Sequence, residues 1–122
     1  MGGKVLLVED DSVQAEALSL ILTDEGYSVV QVANGQEALA YLAQHLPPDL
    51  ILLDMMMPVM DGWHFLGELR RTPRSAGSPV LVITSTLVIG SEWAAAHDCA
   101  GWLRKPVATE ELLQEIRRCL SK

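Results

Sequence analysis

The sequence predicts a doubly wound α/β domain, with a five-stranded parallel sheet in the order 2-1-3-4-5 and five helices on its two faces. Three observations lead there. Short aliphatic runs alternate along the chain with longer segments whose apolar residues recur at helical spacing. Such alternation needs crossover connections, which make the strands of one sheet parallel and lay helices on both of its faces. A length of 122 residues suits one compact domain with a proper core and is too short for two, so residues 1–122 are expected to form a single domain with no second one following.

The elements follow in order. Val5 to Val8 is a continuous aliphatic run, as a strand buried on both faces requires, and it stops at Glu9. Val13, Ala17, Leu20 and Ile21 then repeat at helical intervals, with Asp11 or Ser12 able to cap the first turn and Gly26 to end the helix. Ser28 to Val32 reads as the second strand. Asn34 with Glu37 three residues on resembles a capping box, and Ala38, Leu39, Leu42 and Leu46 form the apolar stripe of a helix that Pro47-Pro48 stops. Leu50 to Leu53 is a third buried strand ending at Asp54; Met55 to Met60 contains Pro58 and reads as a loop. Asp61-Gly62 opens a helix with Phe65, Leu66 and Leu69 on one side, and Arg70 and Arg71 at its end offset the macrodipole. Val80 to Ile83 is the fourth strand, followed by Thr84 and a helix within Ile89 to Asp98. A short fifth strand near Gly101 to Leu103 precedes Lys105-Pro106, and Thr109, Glu110 and Glu111 start a last helix bearing Leu112, Leu113, Ile116 and Leu120.

Composition narrows the function. A formal charge of −7 disfavours direct contact with nucleic acid, which needs clustered Lys and Arg. No apolar run approaches the roughly 20 residues of a membrane span. The start of the chain is too short and too acidic for a secretory signal, and Leu6 stands where a myristoylation motif wants Ser or Thr. The cytoplasm is the expected compartment. Cys99 and Cys119 are expected to be reduced thiols, and His45, His64 and His97 lie on different helices without metal spacing. Met55, Met56 and Met57 read as packing residues rather than soft-metal ligands.

In the flavodoxin-like order 2-1-3-4-5, ligands bind beyond the carboxyl ends of the strands, beside strands one and three. Glu9 and Asp10 follow strand one, Asp54 strand three, Thr84 strand four and Lys105 strand five, so distant segments deliver polar groups to one edge. Carboxylates brought together there repel one another unless a cation intervenes. Oxygen-only ligands favour a hard ion. Mg²⁺ fits, because it takes one or two carboxylates and shares oxygens with phosphate; Mn²⁺ should substitute, and Ca²⁺ would want a longer liganding loop. With charge neutralised, an oxygen of Asp54 can attack a phosphoryl group, while the Lys105 ammonium and the Thr84 hydroxyl are donors of the right type for its oxygens.

The stretches Val5-Leu6-Leu7-Val8-Glu9-Asp10-Asp11, Leu53-Asp54-Met55-Met56-Met57-Pro58-Val59-Met60-Asp61-Gly62, Ile83-Thr84-Ser85 and Leu103-Arg104-Lys105-Pro106 resemble the receiver domain family of two-component response regulators, over essentially the whole chain. The resemblance implies that Glu9 and Asp10 are the metal-binding acidic pair, with Asp11 a helix-capping neighbour, and that Asp54 is the phosphoacceptor. It implies a further metal contact from the backbone carbonyl of Met56, a cis Lys105-Pro106 peptide, and a switch in which Thr84 moves inward and Trp102 follows. The face of helix four, strand five and helix five would then carry the output to a protein target. The phosphoryl donor would be a sensor histidine kinase or a phosphotransfer protein, and the only chemistry that of the domain's own phosphorylation and dephosphorylation. Trp102 departs from the family's usual Tyr or Phe, and Met56 and Thr86 hold positions that tune water access to the acyl phosphate. An aspartyl-nucleophile phosphatase is the enzyme alternative, disfavoured because Met56 stands where its second acid would be. A flavin carrier of this fold is disfavoured because Glu9, Asp10 and Asp11 would repel the phosphate.

Overall fold

The computed structural model describes residues 2–55, 62–85 and 89–121. Its strands are β1 (Lys4–Val8), β2 (Ser28–Val32), β3 (Leu50–Asp54), β4 (Val80–Thr84) and β5 (Gly101–Arg104), and its helices α1 (Ser12–Asp24), α2 (Gly35–Gln44), α3 (Gly62–Arg71), α4 (Ser91–Ala96) and α5 (Thr109–Leu120). The sheet runs β2-β1-β3-β4-β5 with every pairing parallel, as the alternation of elements requires.

The aliphatic runs divide their side chains between two cores. Leu6, Val8, Ile51, Leu53, Val80 and Val82 face one side of the sheet, against Ala38 and Leu42 of α2 and Phe65, Leu66 and Leu69 of α3. Val5, Leu7, Leu50, Leu52, Leu81 and Ile83 face the other, against Ala15 and Leu22 of α1 and Leu112, Leu113 and Ile116 of α5. Period-two alternation with both faces covered is why β1, β3 and β4 are apolar at successive positions.

Asp11 caps α1, its side chain accepting from the amides of Val13 and Gln14 at 2.9 and 3.2 Å. Gly26, at φ +96°, follows the end of that helix. At α2 the Asn34 side chain accepts from the Glu37 amide, and Glu37 reaches back to the Ala33 amide, one residue earlier than in a capping box. The fourth helix is a short six-residue piece without a side-chain cap. Helix α5 starts at Thr109, as expected, with Ala108 at the cap position and no side-chain cap.

Two expected stripes are corrected. On α1, Val13 and Leu20 are 77% and 65% exposed; Ala15, Leu18 and Leu22 turn to the sheet instead. On α2, Leu46 falls past the helix end and is exposed. Arg70 does more than offset a dipole: its guanidinium donates to the carbonyls of Ala76, Ser78 and Asp98, tying the end of α3 to the segments entering β4 and β5. Both cysteines are thiols, and burial pushes that of Cys99 up to about 11, which leaves little thiolate near neutral pH. His45 stacks on Tyr41 and His97 on Trp93. No described helix is long and apolar enough to cross a membrane.

Candidate functional site

The carboxyl ends of the strands bring together most of the residues that the sequence singled out. Glu9 leaves β1 directly and donates its backbone N–H to Val32, which holds it against β2. Asp54 is the last residue of β3, in register with Ile83, and Thr84 closes β4 one step further on. Glu9 and Asp54 are each 5% exposed and Thr84 is fully buried, whereas Asp10 is exposed. Glu9, Asp10 and Asp54 each offer a carboxylate oxygen within 4.8 Å of the others, which is the one such group of metal-ligating side chains among the described residues.

Lys105 follows β5, where its amide donates to the Thr84 carbonyl at 2.7 Å, fixing the loop to the end of β4. The Lys105-Pro106 peptide is cis, as the resemblance implied. Its ammonium lies 3.1 Å from Asp54 Oδ2 and 3.4 Å from Gln14 Oε1. The ion pair is mostly sheltered, with the Lys105 side chain 29% exposed and that of Asp54 6%. One cation against three carboxylates leaves the cluster negative.

That imbalance appears at Glu9. Burial pushes its carboxyl up to about 7, Asp54 adds to the rise through a hydrogen bond and its charge, and the Asp11 amide and Lys105 ammonium oppose it. A cation would relieve the crowding of these carboxyl groups, and an all-oxygen donor set suits a hard divalent ion. The residues therefore fit Mg²⁺. Met56, whose carbonyl was expected to join them, lies outside the described residues, as does Thr86.

Trp102, on β5, is half-buried against the core beneath α2 and α3. Arg104 lies over its ring at 4.8 Å from the centroid and donates from the same guanidinium to the carbonyl of Ile89, just before α4. Neither Gln14 nor Arg104 stood out in the sequence. A single polar residue in a helix's first turn, or one Arg at a strand end, carries no periodic signal, and only the folded positions of Lys105 and Trp102 give them meaning.

A parallel α/β sheet with an acidic cluster and a paired lysine at its carboxyl edge has the donors and acceptors that phosphoryl chemistry needs. The family model of the response regulator receiver domain matches residues 5–117. Similar proteins include the DNA-binding dual master transcriptional regulator RpaA of Synechocystis, 36% identical over 98% of this chain and 49% of that protein, and the response regulator MprA of Mycolicibacterium vanbaalenii, 38% identical over 98% and 51%. The chain thus spans about half the length of these relatives. Among solved structures, the receiver domain of the sensor histidine kinase PA1611 of Pseudomonas aeruginosa, with a magnesium ion coordinated in its active-site cleft, superposes with a TM-score of 0.87 at 28% identity, each chain fully covered. The chemotaxis protein CheY4 of Vibrio cholerae superposes with a TM-score of 0.86 at 34% identity, over 98% of this chain and all of that one. The chain belongs to the response regulator receiver domain family. It is a receiver module of two-component signalling, and the phosphatase alternative is not favoured.

Proposed function

We propose that this domain accepts a phosphoryl group on Asp54 from a sensor histidine kinase or a phosphotransfer protein, and that the modification switches its contacts with a downstream protein. The observation that carries the reading is the buried Asp54 carboxylate, held by Lys105 at 3.1 Å and flanked by Glu9 and Asp10. Glu9, Asp10 and Asp54 would hold Mg²⁺, with Mn²⁺ able to substitute; when bound, the ion neutralises the clustered carboxylates and the charge on the phosphoryl oxygens.

The side chains of this chain do the rest. Asp54 supplies the attacking oxygen, with the Lys105 ammonium 3.1 Å from its Oδ2. The Lys105 ammonium meets a phosphoryl oxygen as the new bond forms, so its charge is used where negative charge is transferred. Thr84, buried at the end of β4, supplies a hydroxyl to the same group. Drawing Thr84 inward makes room for Trp102 to turn, and Arg104, which touches both Trp102 and the carbonyl of Ile89, passes the change to α4. The target binds the face of α4, β5 and α5.

Residues 1–122 act as one receiver domain on the cytoplasmic side. With a formal charge of −7 the domain itself does not bind nucleic acid, whatever is attached to it in proteins such as RpaA. It catalyses only its own phosphorylation and dephosphorylation.

Incubation with Mg²⁺ and acetyl phosphate, read by intact mass, tests the reading. The wild type should gain one phosphoryl group, and Asp54→Asn should not. An unmodified wild type, or equal modification of the variant, would sink the assignment.

A further inference from the structure

Among the described residues Lys105 has two side-chain acceptors, and one of them belongs to the acidic cluster. The other is Gln14 Oε1, at 3.4 Å. Gln14 sits in the first turn of α1, its own amide held at 3.2 Å by Asp11 Oδ1, and the Asp11 amide is in turn held at 3.1 Å by Glu9 Oε2. A continuous path of contacts therefore runs from Glu9 through Asp11 and Gln14 to Lys105 and on to Asp54, which lies 3.1 Å from the ammonium.

Lysine is a point charge on a flexible four-carbon stem, and an ammonium has three donors to place. Asp54 alone fixes its distance from the carboxylate but leaves it free to swing about that oxygen. A second acceptor on another element removes the freedom. The acceptor chosen is neutral, so it steers the ammonium without competing for its charge; a carboxylate at the same place would form an ion pair and hold the cation back from an incoming phosphoryl oxygen.

We propose that Gln14 is a positioning residue for phosphoryl transfer to Asp54, acting through the Lys105 ammonium. The inference rests on Asp54 being the phosphoacceptor. In the reaction with acetyl phosphate, the bond from an Asp54 oxygen to phosphorus forms as the bond from phosphorus to the acetate oxygen breaks, and acetate leaves with the electron pair. Lys105 is needed at the phosphoryl oxygens during that exchange, so a mispositioned ammonium slows the step without weakening donor or metal binding.

The test follows phosphorylation of the full chain by acetyl phosphate at saturating Mg²⁺, with intact mass read against time. Gln14→Met keeps length and helix propensity but removes the acceptor. It should lower the rate constant at saturating donor about three- to tenfold, with the half-saturating donor concentration and Mg²⁺ affinity unchanged. In a Lys105→Met background the same substitution should have no further effect, a coupling that a merely structural role for Gln14 would not produce. If phosphorylation of Gln14→Met matches the wild type, or if the variant loses the same factor with and without Lys105, the inference is overturned while Asp54 stands. A wild type that takes up no phosphoryl group overturns both.

Discussion

Glu9 leaves β1 with 5% of its surface exposed and faces another carboxylate, and its protonation ties the site to the stability of the fold. Between pH 4.5, its ordinary value, and about 7, the folded chain keeps a proton there that the unfolded chain has released. The native state then binds more protons than the unfolded one, so stability falls as pH rises through that interval. The expected loss is roughly 1–3 kcal/mol. Urea unfolding in chelator at pH 5 and pH 8 should reveal it as a drop in midpoint that Glu9→Gln lacks, and saturating Mg²⁺ should shrink it. Parallel behaviour of wild type and variant would place the burden elsewhere. At this scale much of the site was legible, because Asp54, Thr84 and Lys105 mark strand ends and topology sends strand ends to one edge. Gln14 was not, since its importance depends on a distance of 3.4 Å to a residue 91 positions away.

Helix α1 marks the limit of periodicity as a guide. It carries Val13, Ala15, Ala17, Leu18, Leu20, Ile21 and Leu22, so two rows of apolar residues meet the same helical spacing. The row through Val13 and Leu20 lies outward and the row through Ala15 and Leu22 inward. Only packing on the sheet chooses between them. Helix α5 posed no such ambiguity, because polar residues occupy the rest of its surface and Leu112, Leu113 and Ile116 are buried as expected. Leu20→Lys should therefore change stability by no more than about 0.5 kcal/mol, while Leu22→Ala should cost roughly 2–5 kcal/mol. Denaturant midpoints decide it, and the reverse ranking would mean that α1 is rotated relative to this structure.

At the level of the molecule, one sheet separates two cores that share no side chains among the described residues, and the site lies at the carboxyl edge of that sheet. Strand order followed from the chain's alternation because parallel strands admit few connections, and the acidic stretch after β1 and the lysine after β5 pointed to the same edge. What the sequence withheld are the tertiary staples, such as Arg70 on three carbonyls, which join segments that no local pattern relates.

The aromatic residues are divided unevenly between those cores, and this gives the molecule a one-sided optical signal. Trp93 and Trp102 pack on the side of α2 and α3, and Trp63 meets Trp93 edge-on at 5.8 Å between ring centroids. No indole lies on the side of α1 and α5, so emission reports one layer and is blind to the other. A rearrangement of α4 and β5 after phosphorylation should change the spectrum, and Trp102→Phe should remove most of that change. A partner settling over Val13 and Leu20 should leave it dark. Loss of signal in Trp63→Phe but not in Trp102→Phe would mean that the light comes from α3 and α4 rather than from Trp102.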